Sequence, residues 1–185
     1  MYIKMSFTKN IVLLLLSPKN GWKEIKHYNT PAKLMLSKVV YPLIALLSLS
    51  AFAGLIYNPE LSISDGIQQA IIEFSKYFFA YLLVNYLMTG FFPKVVSNKT
   101  SANKVSIFLQ YNLVVLIIIN IINNLLPIPF TYLNILYLYI FFVAWKADDF
   151  LGIIESKDKK FLVISAALLL FIPVSIKFIL ELFLV

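Results

Sequence analysis

The sequence predicts an all-α polytopic membrane protein, a bundle of five transmembrane helices behind an N-terminal amphipathic helix lying in the membrane interface. Three observations carry that reading. Hydrophobic residues make up 61% of the 185 and charged ones only 14%, with a mean hydropathy of +0.85. A soluble domain is about a quarter charged, so a lone water-soluble domain and a disordered chain are both excluded. Apolar stretches able to cross ~30 Å of hydrocarbon recur along the chain, and lysines crowd every second connection between them.

Residues 1–30 form a Lys-rich head. Lys4 and Lys9 precede the apolar run 11–16, which resembles the core of a signal peptide. The run is short, and Ser17-Pro18-Lys19-Asn20 stands where a small-residue cleavage site belongs, so it reads as uncleaved. Residues 6–16 fit a helix in the interface, with Lys4 and Lys9 toward the headgroups and Ser17-Pro18 as its end. Trp22 beside Lys19, Lys23 and Lys26 has the composition of an interfacial anchor. Lys4, Lys9, Lys19, Trp22, Lys23 and Lys26 are therefore candidate contacts to anionic membrane lipids, each lysine being worth ~1 kcal/mol near such a surface. The plainer alternative is that the head only orients the protein.

The membrane domain, 31–185, divides into spans at about 39–57, 67–92, 105–125, 130–146 and 161–184. The first carries no charge; Thr30 as N-cap and Pro31 at the first helical position would open its helix, Lys33 and Lys38 would snorkel, and Pro42 would kink it. Asp65 and Gln68 suggest a capping box for the second; Pro93 and the polar run 97–103 close it. Residues 105–145 hold no charge at all, too long a stretch for one crossing. Asn123, Asn124, Pro127, Pro129 and Thr131 break it into the third and fourth spans. The last contains Pro173. Further anchors at the interface are Tyr57, Tyr132 and Trp145.

Seven lysines precede the first span; Lys94, Lys99 and Lys104 follow the second; Lys146, Lys157, Lys159 and Lys160 follow the fourth; the intervening connections have none. Positive-inside bias then places the N-terminus in the cytoplasm and the C-terminus outside. All sixteen basic residues are Lys, and with abundant Asn and Ile this points to an AT-rich coding sequence, as in many bacteria, and hence to a bacterial inner membrane. Without Arg, the usual reader of phosphates and base edges, a nucleic-acid partner is not expected. There is no Cys and one His, His27, so thiolate chemistry, disulfides and a His-built metal site are not expected, nor is a cofactor.

Two stretches carry a family resemblance. Leu14-Leu15-Leu16-Ser17-Pro18-Lys19-Asn20-Gly21-Trp22-Lys23-Glu24-Ile25 is an apolar run, then Ser-Pro-Lys, then Trp-x-Glu-Ile; the stretch from Tyr137 through Trp145 to Lys160 and Phe161 is a Trp-ended span, a short linker, a Lys-rich turn and a final span. Both resemble the Yip1 domain family of small multi-span membrane proteins. The resemblance implies a five-helix membrane domain without known enzyme activity, whose eukaryotic relatives act in vesicle traffic and contact lipidated GTPases.

Intramembrane charges cost ~2.5–3.5 kcal/mol at the bilayer centre and call for a reason. Gln69, Glu73 and Lys76 share a face of the second span; Lys177 and Glu181 share a face of the fifth. Counted along the helices, Glu73 and Lys76 lie about 9 and 14 Å from one membrane edge and Lys177 about 10–12 Å from the same edge. The expectation is that the two helices are neighbours and that Glu73, Lys76, Lys177 and Glu181 form one cluster of zero net charge. Ser106, Gln110, Asn120 and Asn124 form a polar stripe on the third span, with Asn85 and Asn112 as further buried candidates. Two readings stay open: interhelical glue, worth ~0.6 kcal/mol per bond, or an ion, proton or lipid-headgroup site opening outward.

Ser50-x-x-x-Gly54 is a small-residue pattern suited to close helix packing. Asp148 and Asp149, as helix neighbours, diverge by about 100° and make no carboxylate dyad; pairing with Lys146 or Lys157 is expected, a bound divalent cation being the alternative. No activated serine, no aspartates paired across spans and no glycine-rich phosphate loop appear, so no enzyme is expected. The leading function is a non-enzymatic Yip1-like protein organising lipids or partner proteins, itself included. The alternatives are a small channel or transporter using the Glu/Lys cluster, or an accessory subunit of a larger membrane complex.

Overall fold

The computed structural model describes residues 7–28, 30–91, 101–126, 135–153 and 156–184, and regular structure among them is entirely helical. Lys4, Lys94, Lys99 and Tyr132, and the predicted break at Pro127, Pro129 and Thr131, lie outside the described residues.

Helices α1 (Phe7–Leu16) and α2 (Pro18–His27) form a hairpin about Ser17, with Pro18 in the first turn of α2, where a missing N–H costs nothing. Gly21 makes the crossing possible: a Cβ there would lie 2.8 Å from the backbone nitrogen of Leu14 and 2.9 Å from its Cα. Backbone cannot swing aside as a side chain can. Gly21→Ala is expected to destabilise the protein by about 1–3 kcal/mol, as overpacking does. Gly66→Ala, facing only side-chain atoms of Leu55 and Phe52 at 3.0–3.2 Å, should move the melting temperature less; equal shifts for the two would refute the close-crossing argument.

Helix α3 runs unbroken over Ala32–Tyr57 but changes pitch. Leu36–Val40 is π-helical and Ala51–Ala53 is a 3-10 turn. Pro42 has no N–H to give the carbonyl of Lys38, so the widened turn just before it is where the predicted kink is absorbed. Pro31, not Thr30, holds the N-cap position. Thr30 is buried, its carbonyl accepting from Asn103 Nδ2 at 3.0 Å, while Asn103 Oδ1 accepts the Ala32 N–H at 2.8 Å. The start of α3 is thus capped from another helix, which no local motif reveals.

Helix α4 (Ile63–Phe91) opens on a reciprocal box one turn before the expected one. The Ser62 N–H donates to Asp65 Oδ2 at 2.8 Å, and the Asp65 N–H donates to Ser62 Oγ at 3.2 Å. Asp65 is therefore the acidic member of the box, and its carboxyl is held below the usual range first by the Ser62 hydroxyl, which donates to Oδ2 at 2.7 Å, and then by the Ser62 N–H. Helix α5 (Ala102–Leu125) is capped by Ser101; α6 covers Ile135–Trp145; α7 (Asp148–Leu151) ends on Gly152, whose φ of 71° an L side chain rarely adopts; α8 is Lys160–Leu184, with Pro173 inside it.

Helix α5 is the axis of the fold. Its most apolar window is 83% buried, against 28% for those of α3 and α8, and α3, α4, α6 and α8 all pack on it. Helices α4 and α8 also pack on each other. The outward faces carry Leu49, Ile56, Phe79, Phe171, Phe178 and Phe183, an exposed apolar surface of the kind lipid covers.

The helices alternate in direction. One end gathers the starts of α3, α5 and α8 with the ends of α4 and α6, as the contacts Asn103–Ala32, Ser106–Asn85 and Lys159–Asp148 show. It carries Lys33, Lys38, Lys104, Lys146 and Lys159 and the α1–α2 hairpin. At the other end, Tyr57 OH donates to the carbonyl of Leu125 at 3.1 Å; Glu60 and Asp65 lie there, with no lysine among the described residues of that end.

Among the described residues, three helices, α3, α5 and α8, are long and apolar enough to cross a membrane, against five expected. The second predicted span, α4, has the length, at 29 residues, but Gln68, Gln69, Glu73 and Lys76 crowd its first half and lower its apolarity. The fourth, α6, rises about 16 Å over its described residues; the first part of that predicted span, 130–134, lies outside the described residues. The head also departs from expectation. Rather than a separate interfacial segment, α1 and α2 put Leu14, Trp22 and Ile25 into the same core as α5, α6 and α8.

Candidate functional site

A polar ladder joins α4 to α5. Gln69, Glu73, Tyr77, Tyr81 and Asn85 recur every fourth residue of α4 and so share one face. Ser106 Oγ donates to Asn85 Oδ1 at 2.7 Å, Gln110 Nε2 donates to Tyr81 OH at 2.7 Å, and Asn120 Nδ2 donates to Tyr77 OH. Tyr137 of α6 donates to Asn120 Oδ1 at 2.9 Å and accepts from Asn123 Nδ2 at 2.8 Å. Asn124 Nδ2 donates to Ser50 Oγ of α3 at 2.9 Å. All four residues of the predicted stripe thus bind neighbouring helices, whereas Asn112 turns back to the carbonyl of Phe108. Of Ser50-x-x-x-Gly54, only Ser50 packs; the hydrogen side of Gly54 meets nothing within 4 Å.

Beside this ladder, α4, α5, α6 and α8 enclose a cavity of about 480 Å³. Gln69, Glu73, Lys76, Tyr77, Asn120 and Lys177 give it a polar side, and apolar residues such as Leu116, Phe141, Leu169 and Pro173 form the rest. Lys76 and Glu73 are 7% and 4% exposed, and Lys76 Nζ lies 2.5 Å from Glu73 Oε1. Glu73 Oε2 is buried and has no hydrogen-bond partner among the described residues. Lys177 Nζ lies 3.5 Å from Glu181 Oε1, both partly exposed. The two predicted couples therefore sit on neighbouring helices, but each closes within its own helix, and Glu181 does not line the cavity. Tyr77 and Tyr137, which the sequence pattern does not single out, complete the polar side; the four-residue spacing of Tyr77 from Glu73 is the one signal that points to either of them.

The lysine-rich end is built differently from expectation. Trp22 is not an interfacial lipid contact: it is 1% exposed, its Nε1 donates to the carbonyl of Val143 at 2.8 Å, and its ring centroid lies 5.6 Å from that of Phe108 and 5.1 Å from that of Phe150. Burial of its α2 face turns it inward, while Lys19 and Lys23, which flank that face, stay exposed. Lys9 pairs with Glu24 at 2.7 Å and Lys26 with Asp149 at 2.8 Å. Asp148 pairs with Lys159 at 2.9 Å, and neither aspartate forms an ion pair with the expected Lys146; the side chain of Lys157 lies outside the described residues. Burial opposes ionisation of Asp148, but the Lys159 ammonium and the Asp149 N–H outweigh it and hold the carboxyl below its ordinary range. No group of three or more His, Cys, Asp or Glu side chains gathers among the described residues.

Comparison of the chain with protein-family models, with curated proteins and with solved structures finds no match.

Proposed function

We propose that this is a non-enzymatic, lipid-organising integral membrane protein, Yip1-like in layout, that holds an amphiphile in the cavity between α4, α5, α6 and α8. The observation that carries the reading is the cavity itself: about 480 Å³, apolar over much of its wall, with Glu73, Lys76 and Lys177 on one side. Sites for small ligands have this character, a largely apolar wall with a few polar groups that fix orientation. The charges at Glu73 and Lys76 neutralise each other, which lowers the cost of keeping them at that depth.

The same reading has the chain cross the bilayer five times. Helix α4 exceeds the hydrocarbon thickness and lies between two helices that qualify as spans, so its polar face meets protein and not lipid. Helix α6 reaches from Tyr137, level with Asn120 and Asn123, to Trp145 beside the α1–α2 hairpin. The lysine-rich end is cytoplasmic on the positive-inside rule, in a bacterial inner membrane, with the C-terminus outside.

The test is mass spectrometry of the full chain released from gentle detergent. A lipid-sized adduct should accompany the wild-type chain and be lost in Val174→Trp, which fills the cavity mouth from an exposed position. An adduct unchanged in Val174→Trp and in Leu170→Trp overturns the reading. The unpartnered Glu73 Oε2 favours a second reading, an ion or proton path, in which Glu73→Gln would abolish flux across proteoliposomes.

A further inference from the structure

A second cleft lies at the lysine-rich end, well apart from the intramembrane cavity. It has a volume of about 320 Å³ and lies between α2 and the corner where α6 passes through α7 toward α8. Trp22 and Trp145 form its aromatic wall, and Lys19, Lys23, Lys146 and Lys159 surround it with Asp148 and Asp149. The two carboxylates are already engaged: Asp148 by Lys159 at 2.9 Å and Asp149 by Lys26 at 2.8 Å. Lys19, Lys23 and Lys146 form no ion pair with a carboxylate among the described residues. Lys19 and Lys23 stand one turn apart on the same face of α2, and Lys146, at the end of α6, lines the same cleft with its ammonium 5.4 Å from the ring of Phe142. Three lysines from two helices thus line one concave space. Like charges repel there unless an anion joins them, and the cleft has the volume of a small-ligand site.

We infer that this cleft is a binding site for a phosphate-bearing ligand, its phosphate held by Lys19, Lys23 and Lys146. Lysine is well suited to holding it, since an ammonium is a compact point charge with three donors, able to meet a phosphate oxygen from any side. Two sources share that chemistry, the headgroup of a phospholipid and a free phosphate compound. The neighbouring apolar surface of α6 and α8 would receive the acyl chains of the first. The half-exposed Trp145, with Lys159 Nζ 5.2 Å above its ring, stands at the wall of the cleft and reports on its occupancy.

Trp145 is one of only two tryptophans and the other is buried, so intrinsic fluorescence of the full chain in detergent reads the site. Dihexanoyl phosphatidate and inorganic phosphate are titrated separately. A saturable change with the lipid alone assigns the site to phospholipid headgroups; saturation with both assigns it to phosphate compounds generally. In either case Lys19→Gln/Lys23→Gln/Lys146→Gln should weaken binding at least tenfold. Lys33→Gln/Lys38→Gln/Lys104→Gln, which removes the same charge from exposed sites at the same end, should weaken it less than twofold. Should the first triple variant melt early, Lys19→Gln/Lys23→Gln, both solvent-facing, is expected to show at least a threefold loss. No saturation with either probe, or equal losses in the two triple variants, overturns the proposal in favour of diffuse attraction to anionic surfaces.

Discussion

Lys76→Met should destabilise the protein by about 3–5 kcal/mol, and adding Glu73→Gln should restore most of that loss. The asymmetry follows from burial. Lys76 and Glu73 are both nearly inaccessible, and their contact is the one ion pair in which both side chains are buried among those described. Removing the ammonium strands a carboxylate that already has one oxygen without a partner, and breaking a buried pair costs about this much because the remaining charge is uncompensated. Removing both charges leaves a neutral amide and a thioether of similar volume, which buried sites tolerate well. Thermal unfolding of the detergent-solubilised chain reads the difference. A double variant as unstable as Lys76→Met would show that the loss comes from packing and not from a stranded charge.

Trp22→Ala should cost a further large amount, about 3–5 kcal/mol, the range for emptying a large aromatic site in a core. The ring touches Phe108 and Tyr111 of α5 and Phe150 of α7, and its N–H holds the carbonyl of Val143 in α6. One side chain therefore pins the α1–α2 hairpin to three other helices. Trp22→Phe keeps most of the contact and loses the hydrogen bond, for about 1 kcal/mol. A Trp anchored in headgroups would behave otherwise, changing membrane partition and leaving unfolding nearly untouched; that outcome in the melting curves would reverse the placement.

The contrast between these residues shows what the sequence made legible. Helix positions followed largely from apolar run lengths, and counting residues at 1.5 Å each anticipated that Glu73, Lys76 and Lys177 line one cavity, though not that Glu181 stays outside it. The neighbours of those residues did not follow. Trp22 flanked by lysines reads the same whether α2 lies on lipid or on protein, because periodicity gives a face but not what covers it. Asp148 and Asp149 found Lys159 and Lys26, one of them 123 positions away, and Asn103 caps a helix 71 residues earlier. Such pairings belong to tertiary geometry. The number of spans is legible only in part for a related reason: α4 keeps its polar residues where α5 and α8 shield them, so its composition alone does not mark it as a span.

The enclosure of α5 also bears on how the chain can be made. Translation delivers helices in sequence, and α5 emerges after α3 and α4 but before α6 and α8. Its amides would be costly if exposed to acyl chains. Asn85, Tyr81, Tyr77 and Ser50, all already synthesised, supply partners for Ser106, Gln110, Asn120 and Asn124; only Tyr137 arrives later. The order of segments in the chain thus lets this amide-rich helix find its bonds on entering the bilayer, with α6 and α8 closing over it afterwards.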